Sequence, residues 1–371
     1  MKVLQINKFY HPVVGGIETV VRQIAEGING RDDFVVDVLA CSDRPGTPAS
    51  EDIDGVHVTR ARSMGVLLSM PVSATFVRVL KDMHRGYDLL HLHLPFPLGE
   101  LALWLIRPRR KFVVTYHSDI VRQRPAEAAL GWLHRWTLAH AQRIVVSNPG
   151  IVRSSAVLRG FGQKCTVIPF GVDTARFGPE LGSPDRAERI RSQYGQRIIL
   201  FVGRLVYYKG LDYLIRAMRD IDAGLVIVGE GHLRARLAYE ARRAGTGDRV
   251  SFVPYRTPEQ LVDFYRAASV FVLPSVYRSE AFGITIAEAM ACGLPVISTE
   301  LGTGTSFVNQ DGITGFIVPP RDSGAIHDRL KRLLSDRALA ANMGRAATER
   351  IRASFTLDTM LYNYTRLYRN C

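Results

Sequence analysis

The stretch RIILFVGRLVYYKG (197–210) joins a short apolar strand to a turn that carries two basic residues. It begins the second of two series of β-branched runs, and helical patterns separate the runs in both series. This alternation predicts an α/β fold with parallel sheets built from strand–helix–strand units. The predicted strands lie at 3–7, 34–40, 87–93, 111–117, 143–148, 165–170, 197–203, 224–229, 249–254, 270–275, 294–299 and 314–319.

The chain has 371 residues, which is more than one hydrophobic core usually holds, so two domains of roughly 150–200 residues are expected. Residues 171–189 are rich in Gly, Pro and charge, which predicts a linker and a boundary near residue 172. The last helical stretch carries apolar residues at three- to four-residue spacing and needs a partner surface. These residues are Phe355, Leu357, Met360, Leu361, Tyr364 and Leu367.

The composition excludes disordered and coiled-coil proteins, because 47% of the residues are hydrophobic and only 22% are charged. A net charge of +13, shared by both halves of the chain, favours polyanions such as nucleic acid, anionic lipid or phosphorylated small molecules. The four cysteines are far apart and form no C-x-x-C pair, which fits a reducing cytoplasm. The N-terminus also lacks the pattern of a signal peptide.

A short apolar run, LGELALWLI (98–106), is followed at once by four basic residues within positions 107–111. The run is too short to span a membrane. Two interpretations remain open: a buried helix with a solvated basic turn, or a helix that contacts an anionic membrane surface.

Three loops carry groups that can bind a phosphorylated ligand. Gly15 and Gly16 precede a predicted helix, whose first N–H groups can bind an anion, although such glycines often serve only as turns. They do not form the G-x-G-x-x-G fingerprint of a dehydrogenase. Arg204 and Lys209 follow a predicted strand, and their two charges match those of a diphosphate.

The third loop is SEAFGITIAEAMACGLPVIST (279–299), in which Glu280 precedes a turn and Glu288 lies within the next helix. The turn at 282–284 offers N–H groups at a helix start. Two carboxylates eight residues apart suit a ligand with both sugar and ribose hydroxyls better than they suit a metal. A solvated surface role does not explain Glu288, which lies in an apolar run.

Histidines mark the first half of the chain. His117 and Asp119 follow a predicted strand, where the histidine can donate a hydrogen bond to a substrate. His91 and His93 alternate along another strand and lack a nearby carboxylate or third ligand. We therefore expect them to pack and to line a cleft, with no metal site.

These motifs occur in one order: GGIE, HSD, PFGVD (169–173), GRLVYYKG and EAFGITIAE. In this combination the chain resembles the retaining glycosyltransferases of family four, over nearly its whole length. The resemblance implies the GT-B fold, with two facing Rossmann-like domains and a C-terminal helix that crosses back to the first. The implied domains are an acceptor-binding domain at 1–171 with 355–371, and a nucleotide-sugar-binding domain at 172–354.

The resemblance also implies roles for single residues. Arg204 and Lys209 would hold the donor diphosphate, Glu280 the hydroxyls of the transferred sugar, and Glu288 the ribose. The remaining implied contacts are backbone amides of Gly15, Gly16, Phe282, Gly283 and Ile284, the sugar contact of His117, the nucleobase contact of Val253 and Pro254, and the acceptor contact of Asp119. The catalytic set would be His117, Arg204, Lys209 and Glu280.

Charge determines the expected chemistry. As the bond to the nucleoside diphosphate breaks, the leaving group gains negative charge, which Arg204, Lys209 and helix N–H groups would stabilise without a divalent metal. No D-x-D pair lies on a strand-end loop. The resemblance implies that the anomeric configuration is retained. The acceptor would attack the sugar on the face from which the diphosphate leaves, and the donor phosphate would take the proton of the acceptor. Glu280 as a covalent nucleophile is the less favoured variant.

One segment departs from many family members, since 298–315 reads STELGTGTSFVNQDGITG in place of a Gly-Gly segment followed by Pro-Glu. Together with KFYHPVVGGIE and HLHLPFPLGE, it is similar to bacterial transferases that build O-antigen or related polysaccharide. That likeness favours GDP-mannose as donor, no further cofactor, and a polyprenyl-diphosphate-linked glycan as acceptor. The protein would then work in the cytoplasm, at the inner face of the plasma membrane. UDP-sugars remain open.

Two rival functions use the same observations. A nucleotide-sugar 2-epimerase would share the fold, and it would convert the donor without any acceptor. A nucleic-acid binder would explain the net charge of +13. The sequence has no recognition-helix or aromatic RNA motif, so no nucleic-acid partner is expected.

Overall fold

The computed structural model describes residues 1–44, 47, 49–67, 70–119 and 124–371, with side chains of the helix at 124–140 described from Leu130 onward. The chain forms two compact units. The first contains Met1–Pro169 and Met360–Cys371, and the second contains Phe170–Thr359. The sequence prediction placed the division two residues later and the start of the returning segment five residues earlier.

The first unit has a sheet of eight strands in the order β10-β9-β8-β7-β1-β2-β4-β3, parallel except for the pair β3–β4. Its strands are β1 (Lys2–Ile6), β2 (Val35–Cys41), β3 (Ser50–Ile53), β4 (Val56–Ala61), β5 (Gly65–Leu67), β6 (Met70–Val72), β7 (Leu89–Leu94), β8 (Lys111–Tyr116), β9 (Arg143–Val146) and β10 (Cys165–Val167). Its helices before the second unit are α1 (Gly16–Ile28), α2 (Phe76–Met83), α3 (Pro97–Ile106), α4 (Arg124–His140) and α5 (Pro149–Ser154).

The second unit has six parallel strands in the order β13-β12-β11-β14-β15-β16. They are β11 (Ile198–Val202), β12 (Gly224–Val228), β13 (Val250–Val253), β14 (Val270–Leu273), β15 (Val296–Thr299) and β16 (Gly315–Val318). Its helices are α6 (Pro184–Tyr194), α7 (Leu211–Ala217), α8 (Arg234–Arg243), α9 (Pro258–Ala267), α10 (Ile284–Ala291), α11 (Thr305–Val308), α12 (Ser323–Ser335) and α13 (Arg337–Ser354), and α14 (Leu357–Arg369) follows.

Both sheets are doubly wound. The strand order reverses between β1 and β7 in the first unit and between β11 and β14 in the second. In such sheets, ligands bind beyond the carboxyl ends of the strands at the point of reversal. The central strands are buried on both faces, as the continuous Val, Ile and Leu content of β11 and β14 requires.

The structure confirms the α/β fold class and all twelve predicted strands, within a few residues at their ends. The predicted linker at 171–189 is wrong in its second half, because α6 begins at Pro184, where the Ser183 side chain accepts a hydrogen bond from the Arg186 amide. The strands β3 and β4 and the hairpin β5–β6 were not predicted. Of these, β3, β5 and β6 have only three or four residues, and such short strands give weak patterns.

Helix α14 begins in the second unit and ends in the first. Within the first unit it buries Met360, Leu361, Tyr364 and Tyr368, so the apolar spacing found in the sequence marks a packed face. Among the described residues, no helix combines the length and the apolar character needed to cross a bilayer.

The loops after β11 and β14 touch through their backbones. The Val276 amide donates to the Tyr208 carbonyl at 2.8 Å. Gly210 has a φ of +67°, and a Cβ atom at this position would lie 2.1 Å from the Pro274 carbonyl oxygen. Only glycine allows this approach, which holds the two loops together at the reversal of the strand order.

Replacing Gly210 by alanine tests this contact. Gly245→Ala is a matched control, because Gly245 has a φ of +69° and no neighbouring atom within 4 Å of the added carbon. We expect the control to lose about 1–2 kcal/mol for a left-handed alanine. Gly210→Ala should lose at least twice as much in urea unfolding of the protein. Equal losses would show that the close approach contributes nothing.

Candidate functional site

A buried ion pair joins the two loops of the second unit. Lys209 lies in a turn of 3₁₀ helix at 207–209 after β11, and Glu280 lies in the loop after β14. The Lys209 Nζ is 2.6 Å from Glu280 Oε2, and the Ser275 hydroxyl donates to the same oxygen at 3.0 Å. About a tenth of each charged side chain is exposed. The structure therefore brings together two residues that the sequence assigned to separate contacts.

The charge of Glu280 keeps the Lys209 side chain protonated. Burial by itself lowers the pKa of Lys209, but the charge of Glu280 and its hydrogen bond outweigh that effect and raise the pKa. An ammonium group has three N–H donors. One of them serves Glu280 in this arrangement, so Lys209 can bind Glu280 and an external anion at the same time.

Arg204 lies on the same loop as Lys209, directly after β11, and its side chain is exposed. Its charge is close enough to lower the pKa of Lys209 slightly against the stronger effect of Glu280. The loop therefore carries one buried and one exposed cation, as a site for a mobile diphosphate requires.

The loop after β15 supports Glu280 through threonines. Thr303 donates to the Glu280 carbonyl at 2.7 Å, and the Gly304 amide donates to the Ala281 carbonyl at 2.8 Å. Thr299 donates to the Ser275 carbonyl at 2.5 Å. The departure from the family pattern in this segment thus holds the Glu280 loop in place. The sequence offered no signal for the contacts of Ser275 and Thr303.

Glu288 lies on α10 and accepts a hydrogen bond of 2.8 Å from the Tyr265 hydroxyl of α9. Burial raises the pKa of Glu288 to about 7, and the hydrogen bond from Tyr265 offsets only part of this effect. The carboxyl group therefore changes its charge near neutral pH. Sequence analysis argued against a solvated role for Glu288 but did not identify its tyrosine partner.

The turn before α10 is built by Phe282 and Gly283. The Phe282 ring is buried between Phe170 and Phe355, with ring centroids 5.1 and 6.2 Å away. Its side chain therefore belongs to the core, and any ligand contact must come from its backbone. Gly283 caps α10 in the left-handed conformation, and Ile284 is the first helical residue.

Val253 and Pro254 lie at the carboxyl end of β13, which is an edge strand of the sheet. The strand β12 separates β13 from β11. Val253 is buried and its carbonyl accepts from the Gly229 amide, whereas Pro254 is exposed. The Val253 side chain is therefore a core residue, and a nucleobase at this edge would meet Pro254 and the backbone.

In the first unit, α1 begins at Gly16 and is preceded by Gly15 in extended conformation. Glu18 is buried in the first turn, and its carboxylate lies so close to Gly15 that a side chain there would collide with it. The helix dipole stabilises a carboxylate at this end. Sequence analysis missed Glu18, although the acidic residue in GGIE was the available signal. An anion at Gly15 and Gly16 would have Glu18 as a neighbour.

Asp119 and His117 follow β8. Asp119 Oδ1 accepts hydrogen bonds from the hydroxyls of Tyr116, at 2.6 Å, and Ser155, at 2.7 Å. Asp119 therefore holds the loop after β8 in place, and its side chain is partly exposed. His117 is buried, and its Nε2 lies 3.0 Å from Nδ1 of His93.

His91 and His93 are fully buried on β7, which confirms their predicted packing role and shows that the predicted cleft-lining role is wrong. Their rings lie 4.3 Å apart, and burial lowers the pKa of His91 and of His117 to about 3 and that of His93 well below its usual value. All three rings are therefore neutral at physiological pH.

These features define a class of protein. Two Rossmann-like domains, with cations and carboxylates at the carboxyl ends of parallel strands, are the architecture of nucleotide-sugar-dependent glycosyltransferases with the GT-B fold. Family models agree: residues 14–176 match Glycosyltransferase Family 4, and residues 184–350 match Glycosyl transferases group 1. The chain belongs to glycosyltransferase family 4, as the sequence motifs predicted.

Curated relatives are similar over almost their whole length. The chain is 35% identical to O-antigen chain mannosyltransferase C of Escherichia coli, covering 99% of this chain and 98% of the relative. It is 36% identical to D-rhamnosyltransferase WbpZ of Pseudomonas aeruginosa, covering 96% and 92%.

Solved structures show the same fold. Sucrose-phosphate synthase from Thermosynechococcus elongatus superimposes with a TM-score of 0.85 at 26% identity, over 100% of this chain and 98% of that one. HepE of Anabaena, solved in complex with UDP, gives a TM-score of 0.81 at 19% identity over all of both chains.

The raised pKa of Glu288 predicts a pH-dependent stability. The folded state holds the Glu288 proton up to about pH 7, whereas the unfolded chain releases it near the usual glutamate pKa of 4.5. The contribution of this group to the free energy of unfolding therefore falls as pH rises from about 5 to 8. Glu288→Gln, which does not ionise, should melt several degrees higher than the parent at pH 8 and nearly the same at pH 5.

The measurement is the melting temperature across this pH range. Glu349→Gln is the control, because Glu349 is exposed on α13 and its loss should leave the pH dependence unchanged. A Glu288→Gln curve parallel to that of the parent would contradict the assignment.

Proposed function

We propose that this glycosyltransferase transfers a hexose, with retention of configuration and without a divalent metal, from a nucleotide sugar to a lipid-linked glycan. The favoured donor is GDP-mannose and the favoured acceptor a polyprenyl-diphosphate-linked chain of the O-antigen type. One observation carries the proposal: Lys209, Glu280 and Arg204 converge at the strand reversal of the second sheet. The Escherichia coli relative is an O-antigen chain mannosyltransferase, which supports the acceptor class.

The ion pair suits a donor whose charge grows during reaction. Arg204 and the N–H groups of Lys209 that do not serve Glu280 would bind the diphosphate oxygens. Glu280, fixed by Lys209 and Ser275, would accept hydrogen bonds from hydroxyls of the sugar. Because these groups are already in place, they stabilise the departing diphosphate more than the ground state.

The proposed reaction exchanges two bonds at the anomeric carbon. The bond from this carbon to the donor phosphate oxygen breaks, and its electron pair remains on the diphosphate. The acceptor oxygen forms a bond to the same face of the sugar and gives its proton to the departing phosphate. Glu288 would bind the ribose, and Gly15, Gly16, His117 and Asp119 would contact the sugar and the acceptor.

Variants of the cation loop test the proposal. Arg204→Gln should lower turnover by ~10²-fold, since a preorganised charge is lost from the transition state. Its melting temperature should not change, because Arg204 is exposed. Lys209→Met should lower turnover and also cost about 3–5 kcal/mol of stability, because it leaves the Glu280 carboxylate buried without its partner.

Two controls separate binding from folding. Arg219→Gln removes an exposed charge elsewhere in the second unit and should keep full turnover. The double variant Lys209→Met/Glu280→Leu should regain stability and remain inactive. Full turnover in Arg204→Gln would contradict the proposed site.

Ligand-induced stabilisation identifies the donor base. GDP at ~100 Kd should stabilise the protein by about 2.7 kcal/mol, with UDP and ADP giving less at equal concentration. Arg204→Gln should reduce the GDP effect. A larger stabilisation by UDP than by GDP would indicate a UDP-sugar as donor in place of GDP-mannose. The proposed reaction would stay the same.

We also propose that the protein binds the cytoplasmic face of the plasma membrane through α3 and α4 of the first unit. Leu105 of α3 is 53% exposed, and Trp132 of α4 is 47% exposed. The rings of Trp132 and Trp104 pack edge to face at 5.2 Å. Exposed aromatic and aliphatic side chains of this kind are typical of the membrane interface.

Positive charge surrounds this apolar surface. Arg107, Arg109, Arg110 and Arg135 are all exposed, and the sequence of 101–118 contains no acidic residue. A cation near an anionic bilayer contributes about 1 kcal/mol to binding. The combination favours anionic lipid over a neutral bilayer or a nucleic acid, because the cations lie beside exposed apolar groups.

Vesicle sedimentation tests this surface without donor or acceptor. The protein should bind vesicles of phosphatidylcholine with phosphatidylglycerol, and bind those of phosphatidylcholine alone much less. Arg109→Gln/Arg110→Gln should weaken binding by about 2 kcal/mol, and Leu105→Ser/Trp132→Ser should also weaken it. Tyr362→Ser is the control, because Tyr362 is 65% exposed on α14. Equal binding by all variants would exclude this surface.

A further inference from the structure

The hairpin β5–β6 of the first unit exposes a cluster of large apolar side chains. The cluster lies between positions 64 and 72 and consists of Met64 at 71% exposure, Val66 at 52%, Leu67 at 65% and Val72 at 41%. Scattered apolar residues are normal on a protein surface, but a cluster of this kind marks a contact with a partner. The function proposed above gives this hairpin no role.

Both faces of the hairpin are apolar. Residues directly opposite each other in an antiparallel pair share a face. Leu67 is paired with Met70, and these two residues share their face with Val72. Val66 belongs to the opposite face. A hairpin with one face in water carries polar side chains on that face, so contact with solvent does not account for this pattern.

The base of the hairpin is held by hydroxyl groups. The Ser63 amide donates to the Ser42 hydroxyl at 2.8 Å, and the Ser63 hydroxyl donates to the Gly65 carbonyl at 2.9 Å. On the returning side, the Ser73 hydroxyl donates to the Arg62 carbonyl at 2.6 Å. A fixed backbone therefore presents the apolar side chains to the outside of the protein.

Positive charge stands at both ends of this segment. Positions 63–77 contain no charged residue, whereas Arg62 and Arg78 on either side are exposed. Arg78 Nε lies 3.9 Å from Asp82 Oδ2, which is a weak surface pair. Like charges at both ends oppose the pairing of two such hairpins from two copies of the chain, and they attract the phosphates of anionic lipids. Charge complementarity thus favours a bilayer as the partner.

We propose that the hairpin β5–β6 enters the interface of an anionic bilayer, with Leu67, Met70 and Val72 against the acyl chains and with Arg62 and Arg78 among the headgroups. The contact stays at the interface, because a two-stranded hairpin has open edges whose backbone groups need water or headgroups as partners. It differs from the surface of α3 and α4 in its chemistry, since apolar side chains contribute most of the binding and arginines less.

The position of the hairpin also concerns the acceptor. The hairpin follows β4, which is parallel to β2, so it leaves the sheet at the carboxyl edge. The loops with Gly15 and Asp119 follow β1 and β8 and lie at the same edge. Where it concerns the acceptor, the inference rests on the proposed function: the hairpin holds this edge close to the lipid that carries the glycan.

Vesicle sedimentation of the full chain at low and at high salt tests the hairpin, without donor or acceptor. The vesicles contain phosphatidylcholine and phosphatidylglycerol. Met64→Ser/Leu67→Ser should lower the affinity by about 10-fold or more at both salt concentrations, because apolar burial is not screened. Ile313→Ser removes an equally exposed apolar side chain from the second unit and should bind as the parent does. The melting temperature of the double variant should not change.

The variant Arg109→Gln/Arg110→Gln separates the two membrane proposals. Its defect should appear at low salt and disappear at high salt, where exposed charges are screened. No defect at either salt concentration would contradict the surface of α3 and α4 and leave the hairpin result intact. Amide hydrogen exchange gives a second measurement, since vesicles should slow the exchange of residues 63–73 in the parent.

Three results would overturn the hairpin proposal. The first is equal vesicle binding by the parent and Met64→Ser/Leu67→Ser, with unchanged exchange at 63–73. The second is a parent dimer in sedimentation velocity that the double variant loses while it still binds vesicles fully, which would assign the hairpin to a second copy of the chain. The third is full vesicle binding with a raised KM for a lipid-linked acceptor, which would assign it to the hydrocarbon chain of the acceptor.

Discussion

A buried ammonium group beside a buried carboxylate is the constraint on which the second unit depends. Neither Lys209 nor Glu280 could be buried alone at an acceptable free energy, and their 2.6 Å contact satisfies both. The contact requires the loops after β11 and β14 to touch, which Gly210 permits by letting the Pro274 carbonyl approach. The sheet reversal, the glycine and the ion pair therefore form one arrangement.

In the first unit, the buried polar side chains of the central strands are neutral and are stabilised by hydrogen bonds. Gln5, His91, His93 and Thr115 lie among central strands, where a charge would be costly, and each is hydrogen-bonded within the unit. Such a network is stabilising only when it is complete. The two units thus stabilise buried polar groups by different means: an ion pair in the loops beyond the strand ends of the second unit, and hydrogen bonds between neutral groups within the central strands of the first.

The sequence predicted the sheets well because parallel strands need continuous apolar runs, and these are visible without an alignment. Sequence analysis also selected Arg204, Lys209, Glu280 and Glu288 as candidate residues, because the first three lie in loops after predicted strands and Glu288 lies in an apolar run. It could not predict the partners of these residues. Thr303 and Ser275 are ordinary hydroxyl residues, and only the tertiary structure brings them to Glu280.

The buried hydrogen bonds that Gln5 makes to Tyr368 and His93 in the first unit could not be predicted from the sequence. Gln5 and Tyr368 are 363 positions apart, and no local pattern links a glutamine in the first strand to a tyrosine in the last helix. The histidines on β7 were visible as a pair, and packing was the correct prediction for them. Their hydrogen-bond partners, Gln5 and Tyr368, are brought to them only by the folded chain.

Helix α14 has a consequence for how the protein is made. Synthesis proceeds from the N-terminus, so all eight strands of the first sheet leave the ribosome before Tyr364 and Tyr368 exist. Until then the interior of that sheet holds a glutamine, histidines and a threonine without their final partners. The N-terminal half of the nascent chain must therefore wait for Tyr364 and Tyr368 before its polar interior is complete, and almost all of the second unit is translated in between.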